Sequence, residues 1–184
     1  MVLETERLIL RKWQESDWEP FFRMNSDPRV MEFFPSILSK EESDRLIERI
    51  QIHFDQNGYG RWVLESKESA DFVGFTGFMN VGFASHFTPA VEIGWRIPFS
   101  FWGQGYATEA ASACLQYGFS TLKFPEVVSF TSILNLRSES VMKRIGFKEA
   151  GFFAHPSLPV DHILSDHVLY KISNLEWNTP ILKS

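Results

Sequence analysis

Cysteine is nearly absent from this sequence: Cys114 is the only one among 184 residues. No internal disulfide can form, and the chain reads as one made for a reducing compartment, the cytoplasm. Positive charge is also short. Eighteen Lys and Arg stand against 23 Asp and Glu, a net charge of −5. That balance argues against a nucleic-acid partner, because phosphate backbones are held by basic surfaces. The opening residues, MVLETERL, lack the basic start and apolar run of a signal peptide. A stretch without any charged residue runs from Phe72 to Val91. It is long enough to cross a bilayer. However, Gly74, Gly77, Asn80, Gly82, Ser85, His86 and Pro89 interrupt it, so a buried hairpin is expected and no membrane partner. The G-x-x-x-x-G-K-[ST] pattern of nucleotide phosphate loops is missing. The dinucleotide fingerprint G-x-G-x-x-G is missing too, since Gly103 and Gly105 are followed by Thr108. The pairs Asp161-His162 and Asp166-His167 have neither helical histidine spacing nor a cysteine cluster beside them, so no metal site is expected.

What remains is an ordinary globular composition, 44% hydrophobic and 22% charged, that predicts one domain over residues 1–184. Eighteen Phe and 6 Trp predict an aromatic-rich core or a lined cleft. Arg7–Trp13 alternates as a first strand, with Leu8 and Leu10 on one face. Ser16-Asp17 is placed to cap a helix through Trp18, Phe21, Phe22 and Met24. Ser39 and Glu42 form a capping-box pattern ahead of Leu46, Ile47, Ile50 and Phe54 at helical spacing, and Asn57-Gly58 ends that helix. The runs RWVLES, FVGFTGFM and AVEIGWRI read as strands. VVSFTSI is a further strand, SESVMKRIGF a helix closed by Gly146, and DHVLYKI a last strand. The order predicts an α/β fold with one mixed, mostly antiparallel, twisted sheet and helices on its faces.

Ahead of one helix lies the stretch SFWGQGYATEA, Ser100 onward. Ala107, Ala110, Ala111, Cys114, Leu115, Gly118 and Phe119 recur at helical spacing as a stripe of mostly small side chains. A helix start offers free N–H groups and partial positive charge, and glycine lets backbone approach a ligand closely. Together they form a phosphate cradle; a tight turn that binds nothing reads the same way from glycines alone.

WGQGYA, Trp102 to Ala107, resembles the R/Q-x-x-G-x-G/A pyrophosphate loop of the GNAT acyltransferases, with Trp102 in place of Arg or Gln. TERLILRKW, DPRVMEFFP, VEIGWRI, NLRSESVMKRIGF and SDHVLYKI follow the same family in order, in the branch similar to the ribosomal-protein N-acetyltransferases. The resemblance implies the GNAT fold, acetyl-CoA as cosubstrate and direct acetyl transfer to a primary amine in a ternary complex. It makes Gly103, Gln104, Gly105, Tyr106, Ala107 and Thr108 the cofactor loop. It also implies a bulge near Gly94 that leaves backbone groups of Arg96 and Ile97 for the pantetheine arm, a contact from Asn135 to the same arm, and Ser138 near the thioester sulfur. The loop Phe33–Pro35 walls the acceptor site in this fold, or is simply core.

Acyl transfer to an amine needs a neutral amine, a stabilised oxyanion and a proton for the departing thiolate. Free lysine amines titrate near 10 and α-amines near 8, so a base is useful. Glu92, a carboxylate between Val91 and Ile93 in a strand, is the base candidate; an exposed strand glutamate is the plain alternative. Ser138 shares a helix face with Val141, Met142 and Ile145 and is the acid candidate. Asn135 before it also suits a simple N-cap role. Asp166 either meets substrate or fixes a loop, and Cys114 on the small-residue stripe is core. The expected partners are acetyl-CoA and an amine, either a protein N-terminus or a small amine, with the chain a monomer or homodimer. The competing readings are a small-molecule amine or antibiotic acetyltransferase and a non-catalytic acyl-CoA-binding or regulatory module, the second of which would need neither Glu92 nor Ser138.

Overall fold

The computed structural model describes residues 2–177. Its strands are β1 (Leu3–Glu4), β2 (Leu8–Arg11), β3 (Arg61–Ser66), β4 (Phe72–Asn80), β5 (Val91–Arg96), β6 (Glu126–Ser132), β7 (Lys148–Ala154) and β8 (Asp166–Ser173). Their hydrogen-bonded order is β1-β2-β3-β4-β5-β6-β8-β7. The pairing is mostly antiparallel, with β5 and β6 parallel where Glu92 meets Val128. The helices are α1 (Trp18–Asn25), α2 (Lys40–Asn57), α3 (Tyr106–Ser120), α4 (Leu136–Arg144) and α5 (Asn174–Trp177). The chain divides into two compact units, Met1–Met79 with Ile93–Cys114, and Asn80–Glu92 with Leu115–Ser184.

In the first unit, strand alternation buries Leu8 and Leu10 while Ile9 and Arg11 are half-buried. Trp13 packs edge-on against Phe21 at 4.8 Å, and Phe75 lies within 6.3 Å of both rings. Trp13 satisfies its indole N–H on the Arg61 carbonyl at 2.7 Å. Helix α2 begins as expected: Ser39 Oγ accepts from the Glu42 amide at 3.2 Å, and the Glu42 carboxylate accepts from the Ser39 amide at 2.8 Å. It ends at Gly58, whose φ of 76° is left-handed. The charge-free segment supplies β4, six of whose nine residues are buried. Gly74 and Gly77 let β4 lie close to its neighbours. A Cβ at either would come within 2.2 Å of a backbone carbonyl, that of Arg96 or Gly60 respectively. The expected hairpin is therefore present, and among the described residues no helix is long and apolar enough to cross a membrane.

The start of α1 differs from expectation. A 3₁₀ turn over Glu15–Asp17 precedes it. The Asp17 carboxylate, 2% exposed, accepts from the Gln14 amide and from both terminal nitrogens of Arg11 at 2.7 and 2.8 Å. The Arg11 Nε also donates to Glu65 at 2.6 Å. These carboxylates hold Arg11 above its ordinary range. Asp17→Ala removes the bidentate partner of a half-buried cation that keeps only Glu65, and is expected to cost about 1–3 kcal/mol. A lowered urea midpoint with an unchanged denaturant slope would show it.

In the second unit, Phe87, Val128 and Leu169 form the core, with Phe83, Phe130 and Phe153 packed on it. The rings of Phe87 and Phe153 are 5.0 Å apart, and those of Phe130 and Phe153 5.4 Å. Strand β6 pairs with β8 along its whole length. Sequence reading did not locate β1 or β7. The second has an irregular burial pattern and a register shift at Glu149/Gly151, with Gly151 at φ 117°, so it carries no period-2 signal.

Candidate functional site

Gly103 and Gly105 both take left-handed backbone conformations, φ 75° and 81°, immediately before α3. Space does not demand glycine there: a Cβ at Gly103 would meet nothing within 4 Å, and one at Gly105 only Arg7 Nη2 at 3.5 Å. The backbone conformation does demand it. The turn is anchored on both sides. Before it, the Trp102 indole donates to the Ile97 carbonyl at 2.8 Å, so Trp102 at the first motif position braces the loop toward its own unit. After it, the Glu109 amide donates to the Gly105 carbonyl at 3.0 Å and opens the helix.

Arg7 is the brace that sequence reading missed. It donates from Nη1 to the Gln104 carbonyl at 2.9 Å and from Nε to Glu109 at 2.7 Å, and its guanidinium lies 4.5 Å from the Tyr106 ring centre. Glu109 also accepts from the Arg7 amide at 2.9 Å and from Thr5 Oγ1 at 2.6 Å. These contacts hold Glu109 below the usual carboxylate range, against the opposing effect of burial. A carboxylate in the first turn also complements the helix dipole. The result is a loop fixed with its glycines outward and a cation, Arg7, beside it. A distance of about a hundred residues separates the partners, and nothing periodic marks such a pair.

The predicted stripe on α3 is buried at Ala110, Ala111, Cys114, Leu115, Gly118 and Phe119, with Ala107 half-buried. Burial pushes the Cys114 thiol well above its ordinary range, which suits a core residue and opposes thiolate chemistry. Tyr106 is half-buried against Phe101, ring centres 6.0 Å apart. Thr108 lies in the first turn of α3, half-buried.

Arg96 and Ile97 close β5. The Ile97 carbonyl is taken by Trp102, and the Arg96 carbonyl lies against Gly74. Gly94, where a bulge was expected, keeps an ordinary φ, and its carbonyl accepts from Thr76 Oγ1 at 3.1 Å. The side chain of Arg96 sits 4.1 Å from the Phe34 ring centre. That brings the Phe33–Pro35 loop to β5 within one unit.

In the second unit, Asn135 caps α4. Its Oδ1 accepts from the Ser138 amide at 3.2 Å, while its Nδ2 donates to Ser138 Oγ at 3.1 Å and to Thr131 Oγ1 at 3.0 Å. The amide is thus committed to orienting Ser138, an arrangement that keeps the Ser138 hydroxyl proton available for donation elsewhere. Ser138 and Val141 are half-buried, Met142 and Ile145 buried, and Arg137 and Arg144 exposed, as helical spacing predicted. Glu92 is half-buried in β5, in register with Val128 of β6. Asp166 begins β8, exposed, and its carbonyl accepts from the Ile133 amide at 3.0 Å. The rings of His155 and His167 lie tilted against each other with centres 4.9 Å apart; burial holds both below the ordinary imidazole value.

Two glycines with left-handed backbone at the start of a helix are the kind of turn that can approach an anion closely. The profile described as "Acetyltransferase (GNAT) domain" matches residues 7–148, and the chain belongs to that family. It is 27% identical over 179 residues to the uncharacterized N-acetyltransferase YnaD of Bacillus subtilis, covering 97% of this chain and all of that one. It is 30% identical over 189 residues to the FsC-acetyl coenzyme A-N(2)-transacetylase of Aspergillus fumigatus, covering 95% of this chain and 77% of the other. Among solved structures, a GNAT-family acetyltransferase from Bacillus anthracis superposes with a TM-score of 0.80 at 28% identity, covering 96% of this chain and 100% of that one. The protein is an acetyl-CoA-dependent N-acetyltransferase.

Proposed function

We propose that residues 1–184 act as one domain that moves the acetyl group directly from acetyl-CoA to a primary amine, a protein N-terminal α-amine being the acceptor that the sequence resemblance favours. The observation that carries this reading is the glycine turn: two left-handed glycines, Gly103 and Gly105, at the start of α3 and braced by Arg7. Amides of residues 103–108 hold the pyrophosphate, helped by the helix dipole. Backbone groups of Arg96 and Ile97 meet the pantetheine arm; with the Ile97 carbonyl taken by Trp102, its amide is the group assigned. Asn135 positions Ser138, and the second lone pair of its Oδ1 can accept from an N–H of the pantetheine arm with its present bonds kept. Ser138 supplies the proton to the departing thiolate. Glu92 takes the proton from the ammonium of the acceptor. The cytoplasm is the compartment proposed.

The test is release of free thiol from acetyl-CoA across a panel of N-terminal peptides and small amines, with the acetylated product confirmed by mass. Release stimulated by at least one amine supports the reading. No release with any amine, alongside tight acetyl-CoA binding, would instead mark a binding module.

Glu92→Gln separates base from bystander. The variant keeps shape and loses basicity, so its kcat/KM at neutral pH should fall about a hundredfold. The deficit should shrink as pH rises toward the amine pKa, because free amine no longer needs a base. A pH series on both forms decides the point. A raised KM with an unchanged profile would assign Glu92 to binding the cation, and superimposed profiles would remove it from the mechanism.

A further inference from the structure

Arg96 is a cation without an anion. Its Nη1 donates to Asn25 Oδ1, and its guanidinium lies over the faces of Phe34 and Phe75, 4.1 and 5.6 Å from their centres. All three partners are neutral. The residue is half-buried, but its Nε is shut away from solvent with no hydrogen-bond partner among the described residues, and no ion pair of a described carboxylate reaches it. Arg61 adds a second positive charge: it too lies 5.6 Å from Phe75, with Nη2 above Gly94. Burial and the charge of Arg61 pull Arg96 down to about 9 from its ordinary value. A guanidinium nonetheless keeps its proton in proteins, so the positive charge stays. Buried charges are ordinarily paired, and an N–H left unmade inside a protein is costly. Cation–π contact with Phe34 offsets part of that and leaves the Nε–Nη2 edge, the one Asn25 does not occupy. That edge matches a carboxylate side-on, with two parallel N–H···O bonds.

We propose that Arg96, framed by Asn25, Phe34 and Phe75, is the recognition point for a carboxylate carried by the acceptor amine. All four residues lie in the first unit. The proposal rests on the acceptor reading above in one respect, that the Phe33–Pro35 loop borders the acceptor. It narrows the acceptor from any primary amine to one that also bears an anionic group, and it disfavours a polyamine, which would bring more positive charge to a place that already holds two guanidinium groups. The carboxylate could belong to a free amino acid or to an acidic side chain near a peptide N-terminus. The chemistry at Arg96 is the same.

Two measurements test it. In the first, the Nε–Hε signal of Arg96 is followed by NMR in uniformly 15N-labelled enzyme, assigned by its loss in Arg96→Met. Titration with N-acetylglycine should shift it saturably, and N-acetylglycinamide, which lacks the carboxylate, should not. Equal shifts with both probes, or none with either, would overturn the proposal. A saturable shift with acetyl-CoA alone and none with N-acetylglycine would overturn it as well, by giving the anion to the cosubstrate. In the second, kcat/KM is compared for an amino acid and its amide, and for tripeptides with Asp or Asn at the second position. The preferred source of carboxylate should show a ten- to hundredfold advantage over its neutral partner, lost in Arg96→Met and partly kept in Arg96→Lys. Thiol release with no preference in either pair would overturn the carboxylate site and leave the acetyltransferase reading intact. Release with no amine at all would fail that reading instead, and the NMR titration would still decide the site.

Discussion

Gly105→Val is expected to weaken acetyl-CoA binding by about a hundredfold while the protein stays folded. Gly105 has φ 81°, where a β-branched side chain is strongly disfavoured. Such a conformation costs a non-glycine residue about 1–3 kcal/mol. The added side chain has room, since the nearest atom to a Cβ there is Arg7 Nη2 at 3.5 Å. The cheapest relief is therefore rotation of the loop, not disruption of the core. Rotation turns the amides of residues 103–108 away from the anion they are assigned to hold, and each 1.4 kcal/mol lost is a factor of ten in affinity. Calorimetric titration with acetyl-CoA measures it. Wild-type affinity in a folded variant would remove the loop from the site.

Ser138→Ala is expected to lower kcat by about 10²–10⁴-fold with acetyl-CoA affinity retained, the usual range for losing a general acid. The geometry makes this a clean deletion. Asn135 still caps α4 through Oδ1 on the residue 138 amide and still donates to Thr131; only its bond to the serine hydroxyl is lost. Thermal unfolding near the wild-type midpoint, together with a collapsed single-turnover rate, would show chemistry lost and structure kept. Wild-type turnover would leave Ser138 as part of the cap alone.

Local signals were legible where one element carries them. The capping box of α2, the small-residue stripe of α3 and the inward face of α4 are each set by residues three or four apart, and each lies where spacing placed it. The glycine turn was legible because φ near 80° is open to few other residues. What escaped was non-local or aperiodic. Arg7 and Glu109 meet across 102 positions. Strand β7 escaped because it is bulged at Glu149/Gly151 and largely exposed, so its apolar and polar residues do not alternate in the sequence. Arg96 drew notice for its backbone, yet the unusual feature is its side chain, whose lack of an anionic partner depends on Asn25, Phe34 and Phe75 arriving from three other segments. The aromatic count pointed to a ring-lined interior without saying which rings meet, and Phe83, Phe87, Phe130 and Phe153 come from three separate stretches.

Direct transfer is the claim on which the rest depends, and Cys114 sharpens it: the chain's single thiol is buried and held protonated, so no cysteine is available to carry the acetyl group between substrates. The decisive measurement is the initial rate of thiol release with acetyl-CoA and the acceptor varied together. Direct transfer between two bound substrates predicts double-reciprocal lines that intersect, and no burst of thiol when the acceptor is left out. Parallel lines with a stoichiometric acceptor-independent burst would mean a covalent acetyl-enzyme, and would contradict the account.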